Sequence, residues 1–215
     1  VDLSKAFDRV QHARLVQVLF DLGICDTPLE WFLSYLSERQ QCVRVEHSVS
    51  QYVGCSRGVP QGSVLDPLLF VLYTSDMSSV LPGSVCHQEF ADDVALDYSD
   101  YQPDLVCSVL SNAVTRLAEY LDNIGLLLNA SKTQVMFVRP RGCLDGPSEV
   151  KCGTTVLDVT PVTKYLGVML DDQLSWKPQV DFIASKTATT IGQLWRHGRC
   201  LSLNARRAWY MSMIQ

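Results

Sequence analysis

No two cysteines of this 215-residue chain stand close in sequence; the eight are scattered at positions 25, 42, 55, 86, 107, 143, 152 and 200. That scatter excludes the paired spacing of a zinc module and reads as a reduced, intracellular protein of the cytoplasm or nucleus. A long apolar span is missing too. The most apolar run, Val64 to Tyr73, is interrupted by Asp66 and Pro67, so neither a membrane span nor a signal peptide is predicted. Repeats and low-complexity linkers are absent, and so is a basic excess: the net charge is −5, which as a single number argues against a polyanionic partner.

The average conceals a division. Residues 1–131 carry 7 Lys+Arg against 17 Asp+Glu, a balance of −10, whereas residues 132–215 carry 11 against 6, a balance of +5. An acidic half able to hold cations thus precedes a basic half able to hold a polyanion, although solvated faces would give the same counts. With 47% hydrophobic and 19% charged residues the chain suits one globular domain, or one domain and part of another. It starts at Val1 and stops at Gln215 inside an aromatic-rich helical pattern, which predicts a fragment of a longer chain.

Helices and hairpins alternate along the chain. Leu15, Val16, Leu19 and Leu22 have helical spacing and end at Gly23, and Thr27-Pro28-Leu29-Glu30 reads as a capping box opening a helix through Trp31, Leu33 and Leu36. Two strand-like runs follow, CVRVEH and QYVG, then a largely buried helix is predicted over Val64 to Leu81. Pro103 opens a helix with Val106, Val109, Ala113, Leu117, Leu121 and Ile124 on one face, closed by Gly125. Strands TQVMFV, TTVLDV and KYLGVML precede a last helix from about Trp176 to Trp195. The mixture predicts an α+β fold with helices on one face of a mainly antiparallel sheet, of the split βαβ (ferredoxin-like) kind.

The stretch EFADDVAL sets Asp92 and Asp93 between strand formers, as a hairpin with both acids at its turn. Asp-Asp is a poor turn pair, because tight hairpins favour residues that tolerate positive φ, so its presence points to chemistry. Near the start, VDLSKAFD places Asp2 at the end of a strand and Asp8 where it could cap the following helix. If Asp2 and the Asp92-Asp93 turn lie on neighbouring strands, three carboxylates converge. Such a cluster suits two Mg²⁺ ions (or Mn²⁺) that clamp the attacking and leaving oxygens of a phosphoryl transfer. Taken singly, each of these aspartates is equally well a cap or a turn residue.

The ordered set VDLSKAFD, RGVPQGSVLDPLLF, FADD, LLLNASKTQVMF and KYLGVML resembles the palm motifs of reverse transcriptases, most closely those of LINE-type (non-LTR) retrotransposons such as the jockey-like elements. The resemblance covers nearly the whole chain. It implies an RNA-directed DNA polymerase of right-hand fold, with the palm over residues 1–172 and the start of a helical thumb over 173–215; the fingers are absent. Its substrates would be an RNA template, a DNA primer and a deoxynucleoside triphosphate.

Carried over by position, the resemblance makes Asp2 and Asp92 the principal ligands of the two metals, with Asp93 a third, less essential carboxylate. Phe7 matches the aromatic that crowds the sugar 2′ position, though ordinary core packing would also account for it. Gln61 and Gly62 match the loop against which nucleotide and template lie; Ser63 there also reads as a helix cap. Lys132 matches a lysine behind the palm, near the triphosphate or supporting the site, and equally fits a solvated strand edge. Tyr165, Leu166 and Gly167 resemble the hairpin that grips the primer, the first two as core residues and the glycine as a point of close backbone contact. Lys177, Lys186, Arg196 and Arg199 would follow the duplex backbone, or form the solvated face of an amphipathic helix.

One position departs from the pattern: Asp66 stands where the family has glycine, a charge that could weaken nucleotide binding while still serving as a helix cap. Because the family's fingers lie upstream of the first aspartate motif, the 215 residues alone are expected to polymerise poorly or not at all. Two other classes of function compete. A decayed or co-opted palm would act as a scaffold or nucleic-acid-binding module, and a metal-dependent nuclease would use the acids but leave VPQG and KYLG unexplained.

Overall fold

The computed structural model describes residues 1–138 and 149–213; Cys143 lies outside them, and so does the side chain of Arg199. Helices and short antiparallel strand pairs alternate in two compact units, residues 1–135 with 149–158 and residues 136–138 with 159–213. Among the described residues the strands form two-stranded antiparallel ladders, with two isolated bridges besides. Among the described residues no helix is long and apolar enough to cross a membrane, and Cys25, Cys42, Cys55, Cys86, Cys152 and Cys200 are free thiols.

In the first unit, α1 (Ala6–Arg9) and α2 (His12–Asp21) follow the N-terminal segment, and Gly23, at φ +87°, stops α2 as predicted. Helix α3 (Asp26–Leu36) forms without the capping box; its N-cap is Cys25 and no side chain caps it. Of its predicted apolar residues only Leu36 is buried. Next come the two-residue strands β1 (Gln40–Gln41), β2 (Arg44–Val45), β3 (Ser48–Val49) and β4 (Val53–Gly54), with β1 paired to β4 and β2 to β3.

The buried helix is shorter than its apolar run. Helix α4 (Asp66–Tyr73) ends at Thr74, and a 3₁₀ turn over Met77–Val80 completes the segment. Strands β5 (Cys86–Phe90) and β6 (Asp93–Asp97) form the acidic hairpin, and α5 (Pro103–Asn123) matches its predicted span and closes at Gly125, φ +81°. Strands β7 (Gln134–Val135), β8 (Lys151–Cys152), β9 (Thr155–Val156) and β10 (Asp158–Val159) follow; β8 pairs with β9 and packs along α5, where Ser111 Oγ accepts the Lys151 N–H at 2.9 Å.

Helices α2, α4 and α5 bury Leu15, Leu19, Leu69, Phe70, Tyr73, Leu117 and Leu121 in one core that Val94 of β6 joins. Each such side chain contributes about 1.5–3 kcal/mol by leaving water. A polar seam ties the helices together. Arg14 of α2 donates to both Asp76 oxygens at 3.0 and 3.2 Å, Tyr120 of α5 donates its hydroxyl to the same carboxylate, and Tyr73 donates to the Ile124 carbonyl. Burial pushes the Asp76 carboxyl up, but the Tyr120 bond and the Arg14 charge outweigh it and hold the group below the ordinary carboxylate range.

In the second unit β11 (Val162–Tyr165) and β12 (Val168–Asp171) form a four-pair hairpin, followed by α6 (Lys177–His197) and α7 (Leu203–Met213). Gln179 of α6 accepts the Met169 N–H of β12 at 2.8 Å, and the Lys164 ammonium lies 5.6 Å over the Phe182 ring.

Candidate active site

The geometry begins with Val1–Ser4, an extended segment held on both flanks. On one side the Val1 amino group donates to the Val94 carbonyl of β6 at 2.7 Å. On the other, Leu3 bridges Leu128, Asn129 N–H donates to the Asp2 carbonyl at 2.8 Å, and Ser4 N–H donates to the Leu127 carbonyl at 2.8 Å. The Asp2 N–H is taken by Thr133 Oγ1 at 3.2 Å, and that threonine is buried. Asp2 therefore sits on a fixed backbone between β6 and the 126–129 segment. Lys132 is exposed in the turn that leads directly into Thr133.

The hairpin turn is one residue earlier than the sequence suggested. Phe90 pairs with Asp93, so the two central residues are Ala91 and Asp92, and Asp93 begins β6. Ala91 takes the positive φ, +55°, that a tight hairpin demands at its first central position. A non-glycine residue there stores about 1–2 kcal/mol of strain.

Asp2 and Asp93 both act on the Val1 amino group. Burial lowers its pKa, and the two carboxylates oppose that shift, Asp93 the more strongly. Asp92, partly exposed at the turn, precedes Asp93 by one residue. Among the described residues no three histidine, cysteine or acidic side chains are gathered closely enough to hold a metal ion. The carboxylates of Asp2, Asp92 and Asp93 are hard oxygen donors of the type magnesium takes.

The RGVPQGS loop rests on α1 by a set of backbone contacts. Gly58 N–H donates to Val10 O at 2.8 Å, Val59 N–H to Phe7 O at 2.9 Å, and His12 Nε2 donates to Gly58 O at 2.7 Å. A Cβ on Gly58 would stand 2.9 Å from the Asp8 Cα and 3.0 Å from two carbonyl oxygens, with φ at +86°. Asp8 is no helix cap: it lies within α1, and its Oδ1 accepts the Gln61 side-chain N–H at 3.2 Å. Pro60 to Ser63 form a tight turn in which Ser63 N–H donates to Pro60 O at 3.1 Å and Gly62, φ +89°, supplies the left-handed residue. Ser63 Oγ accepts the Asp66 N–H at 3.2 Å and receives the Tyr35 hydroxyl at 3.0 Å. Phe7 packs its ring 4.6 Å from that of Phe70 while staying partly exposed, so it is at once a core residue and a wall beside the loop.

The candidate primer and template residues belong to the second unit. Leu166 is no core residue: it is 46% exposed at the β11–β12 tip, where Leu166 (φ +45°) and Gly167 (φ +85°) make a two-residue turn with both residues left-handed. Tyr165 beside it is half-buried. No atom comes within 4 Å of a Cβ built on Gly167. Lys177 is paired with Asp181 at 2.9 Å, whereas Lys186 and Arg196 are exposed on α6.

Three residues that position the site escaped the sequence reading. Thr133 holds Asp2 and His12 holds the Gly58 carbonyl, both across long separations with no periodic signal; Gly58 carried one in its glycine-rich loop.

The fold thus pins an acidic N-terminal segment beside an acidic hairpin and rests a glycine-bearing loop on α1. The family model "Reverse transcriptase (RNA-dependent DNA polymerase)" matches residues 1–170, and the chain belongs to that family. It is 31% identical to the Drosophila melanogaster "Probable RNA-directed DNA polymerase from transposon BS" over 226 residues, covering 100% of this chain and 24% of that protein. It is similar also to the "Probable RNA-directed DNA polymerase from transposon X-element" of the same species (31%; 90% of this chain, 21% of that protein) and to the "RNA-directed DNA polymerase from mobile element jockey" (28%; 90% and 22%). The chain spans about a quarter of the length of these curated relatives.

Proposed function

We propose that this chain is the polymerising palm of a non-LTR retrotransposon's RNA-directed DNA polymerase, extending a DNA primer on an RNA template, with the split βαβ arrangement of a right-hand palm and the beginning of a thumb after residue 172. The observation that carries the reading is the anchoring of Val1 to Val94, because it puts the first acidic segment alongside the strand that begins at Asp93.

In this reading Asp2, Asp92 and Asp93 would hold two divalent ions. Bound there, Mg²⁺ supplies charge neutralisation at the attacking and leaving oxygens of the transfer. The chain's own residues do the positioning. Thr133 and Asn129 fix the Asp2 backbone, and with it the point from which the carboxylate extends. Phe7, wedged on Phe70, offers a rigid edge against which a ribose 2′-hydroxyl would collide. Gln61 and Gly62 present an amide and bare backbone to the nucleotide and template. The Leu166-Gly167 tip would meet the primer, and Lys186 and Arg196 the duplex backbone, with Lys177 released from Asp181 to join them.

Nucleotide binding tests this. Affinity for a deoxynucleoside triphosphate should require Mg²⁺ or Mn²⁺ and should fall at least tenfold in Asp2→Asn and Asp92→Asn. Metal-independent binding that is indifferent to both substitutions defeats the proposal. Primer extension on an RNA template is expected to be weak for these 215 residues alone, and robust incorporation would refute that part.

A further inference from the structure

Helix α3 carries a stack of flat groups on its outer side. The Trp31 ring lies 5.3 Å from that of Tyr35 with 11° between their planes, and the Arg39 guanidinium, just past the end of the helix, stands 5.5 Å over the same Tyr35 ring. Phe32 braces Trp31 edge-on at 5.1 Å. Phe32 and Tyr35 pack partly buried against the core, whereas Trp31 is 52% exposed. The stack is tied to the glycine-bearing loop at both ends of that loop: Tyr35 donates its hydroxyl to Ser63 Oγ at 3.0 Å, and the Arg39 carbonyl accepts the Cys55 N–H at 2.7 Å. We propose that Trp31, Tyr35 and Arg39 form a stacking platform for the unpaired bases of a single-stranded RNA, beside the turn that holds Gln61 and Gly62.

The chemistry selects the ligand. Residues four apart share a helix face, so Trp31 and Tyr35 come together without distortion of α3. Parallel rings backed by a guanidinium offer a polarisable face on which any nucleobase can stack. Tyr35 and Phe32 already hold the Trp31 ring, and the Ser63 bond holds Tyr35, so little side-chain freedom is left to lose when a base arrives. Trp31 receives the base, and Tyr35 and Arg39 back it. Phosphate alone would be a poor ligand, because Glu30 and Glu38 are exposed next to Trp31 and Arg39 in sequence and leave no basic excess there. Base faces are what this surface can hold. A duplex hides those faces inside its own stack, so the occupant is a single strand.

This inference rests on the polymerase reading for the RNA's role as template, but its test uses the chain without metal or nucleotide. A labelled single-stranded oligo(A) RNA should bind in fluorescence anisotropy, and Trp31→Ala should weaken that binding by at least about fivefold, the loss of one stacked base. Affinity for an RNA duplex of the same length should stay within about twofold. The single strand should also quench tryptophan emission. Trp31→Phe, which keeps a ring and leaves Trp176, Trp195 and Trp209 as emitters, should retain the affinity and lose the quench, and it decides the matter if Trp31→Ala fails to fold. Absence of single-strand binding, an affinity unchanged in Trp31→Ala, an equal loss on the duplex, or an undiminished quench in Trp31→Phe overturns the proposal. So does self-association of the chain that Trp31→Ala abolishes while RNA affinity holds, which would assign the stack to a protein contact. Loss of Mg²⁺-dependent nucleotide binding with the platform intact would sink the polymerase reading alone, and the reverse result would sink the platform alone.

Discussion

Replacing Gly58 with alanine should be the most damaging single-methyl change in the loop region, and its cost can be built from two parts. The first is conformational: φ is +86°, and an L-residue held in the left-handed region costs roughly 1–2 kcal/mol. The second is steric. The new methyl would lie 2.9 Å from the Asp8 Cα and 3.0 Å from the carbonyl oxygens of Phe7 and Asp8, all backbone atoms of α1 that no rotamer change can clear. Overpacking of that kind costs about 1–3 kcal/mol, for a total of about 2–5 kcal/mol in a domain whose net stability is of order 5–15 kcal/mol. Gly62→Ala provides the internal control. Its φ is +89° but nothing lies within 4 Å of the added Cβ, so only the conformational part applies. The gain from restricting the unfolded chain is common to both variants and cancels in their difference. Urea unfolding should therefore show Gly58→Ala less stable than Gly62→Ala by about 1–3 kcal/mol with similar m-values. Equal midpoints would refute the claim that the loop is pressed onto α1.

Ala91→Gly should raise stability by about 1 kcal/mol, since it relieves a left-handed alanine and gives back part of the gain as unfolded-chain entropy; a lower urea midpoint would contradict the turn assignment. Tyr120→Phe should cost about 1 kcal/mol at neutral pH, a value discounted for the exposure of Asp76. Asp76 is held below its unfolded value, so its contribution is complete above about pH 3.9 and lost as pH falls through the native value; the two stability curves should converge in acid. Asp66 has the opposite sign. Its native carboxyl keeps its proton longer than the unfolded one, so its contribution is complete below about pH 3.9 and is lost as pH rises through the native value, and Asp66→Asn should overtake the wild type toward neutral pH.

What could be read from the letters was whatever depends on near neighbours. Helix α5 was legible because Pro103, the apolar face from Val106 to Ile124 and Gly125 agree over twenty residues of chain. The acidic hairpin was legible as a hairpin, but its centre was misplaced by one residue, because the strained position is filled by an alanine that carries no turn signal. At the second hairpin Gly167 carries such a signal, whereas the exposure of Leu166 at the tip is not legible from an apolar residue inside the KYLG motif. The capping box of α3 does not form, because the chain enters that helix earlier, through Cys25 and Asp26, the latter at φ +54°. Asp8 reads locally as a cap, whereas its carboxylate accepts from Gln61 in the 59–63 loop. The family motifs named the acids of the candidate site but not their supports, since Thr133 meets Asp2 across 131 positions and His12 meets Gly58 across 46.

That first separation governs when the site can come into being. The 1–4 segment finds its two flanking partners only at Val94 and at residues 127–133, so Asp2 stays unsupported until the C-terminal end of α5 and the turn behind it are in place. Loop closure over such a span is slow compared with forming α2 or α5 by themselves. Anchoring of the segment that carries Asp2 is thereby deferred until the helical core that must carry it already exists.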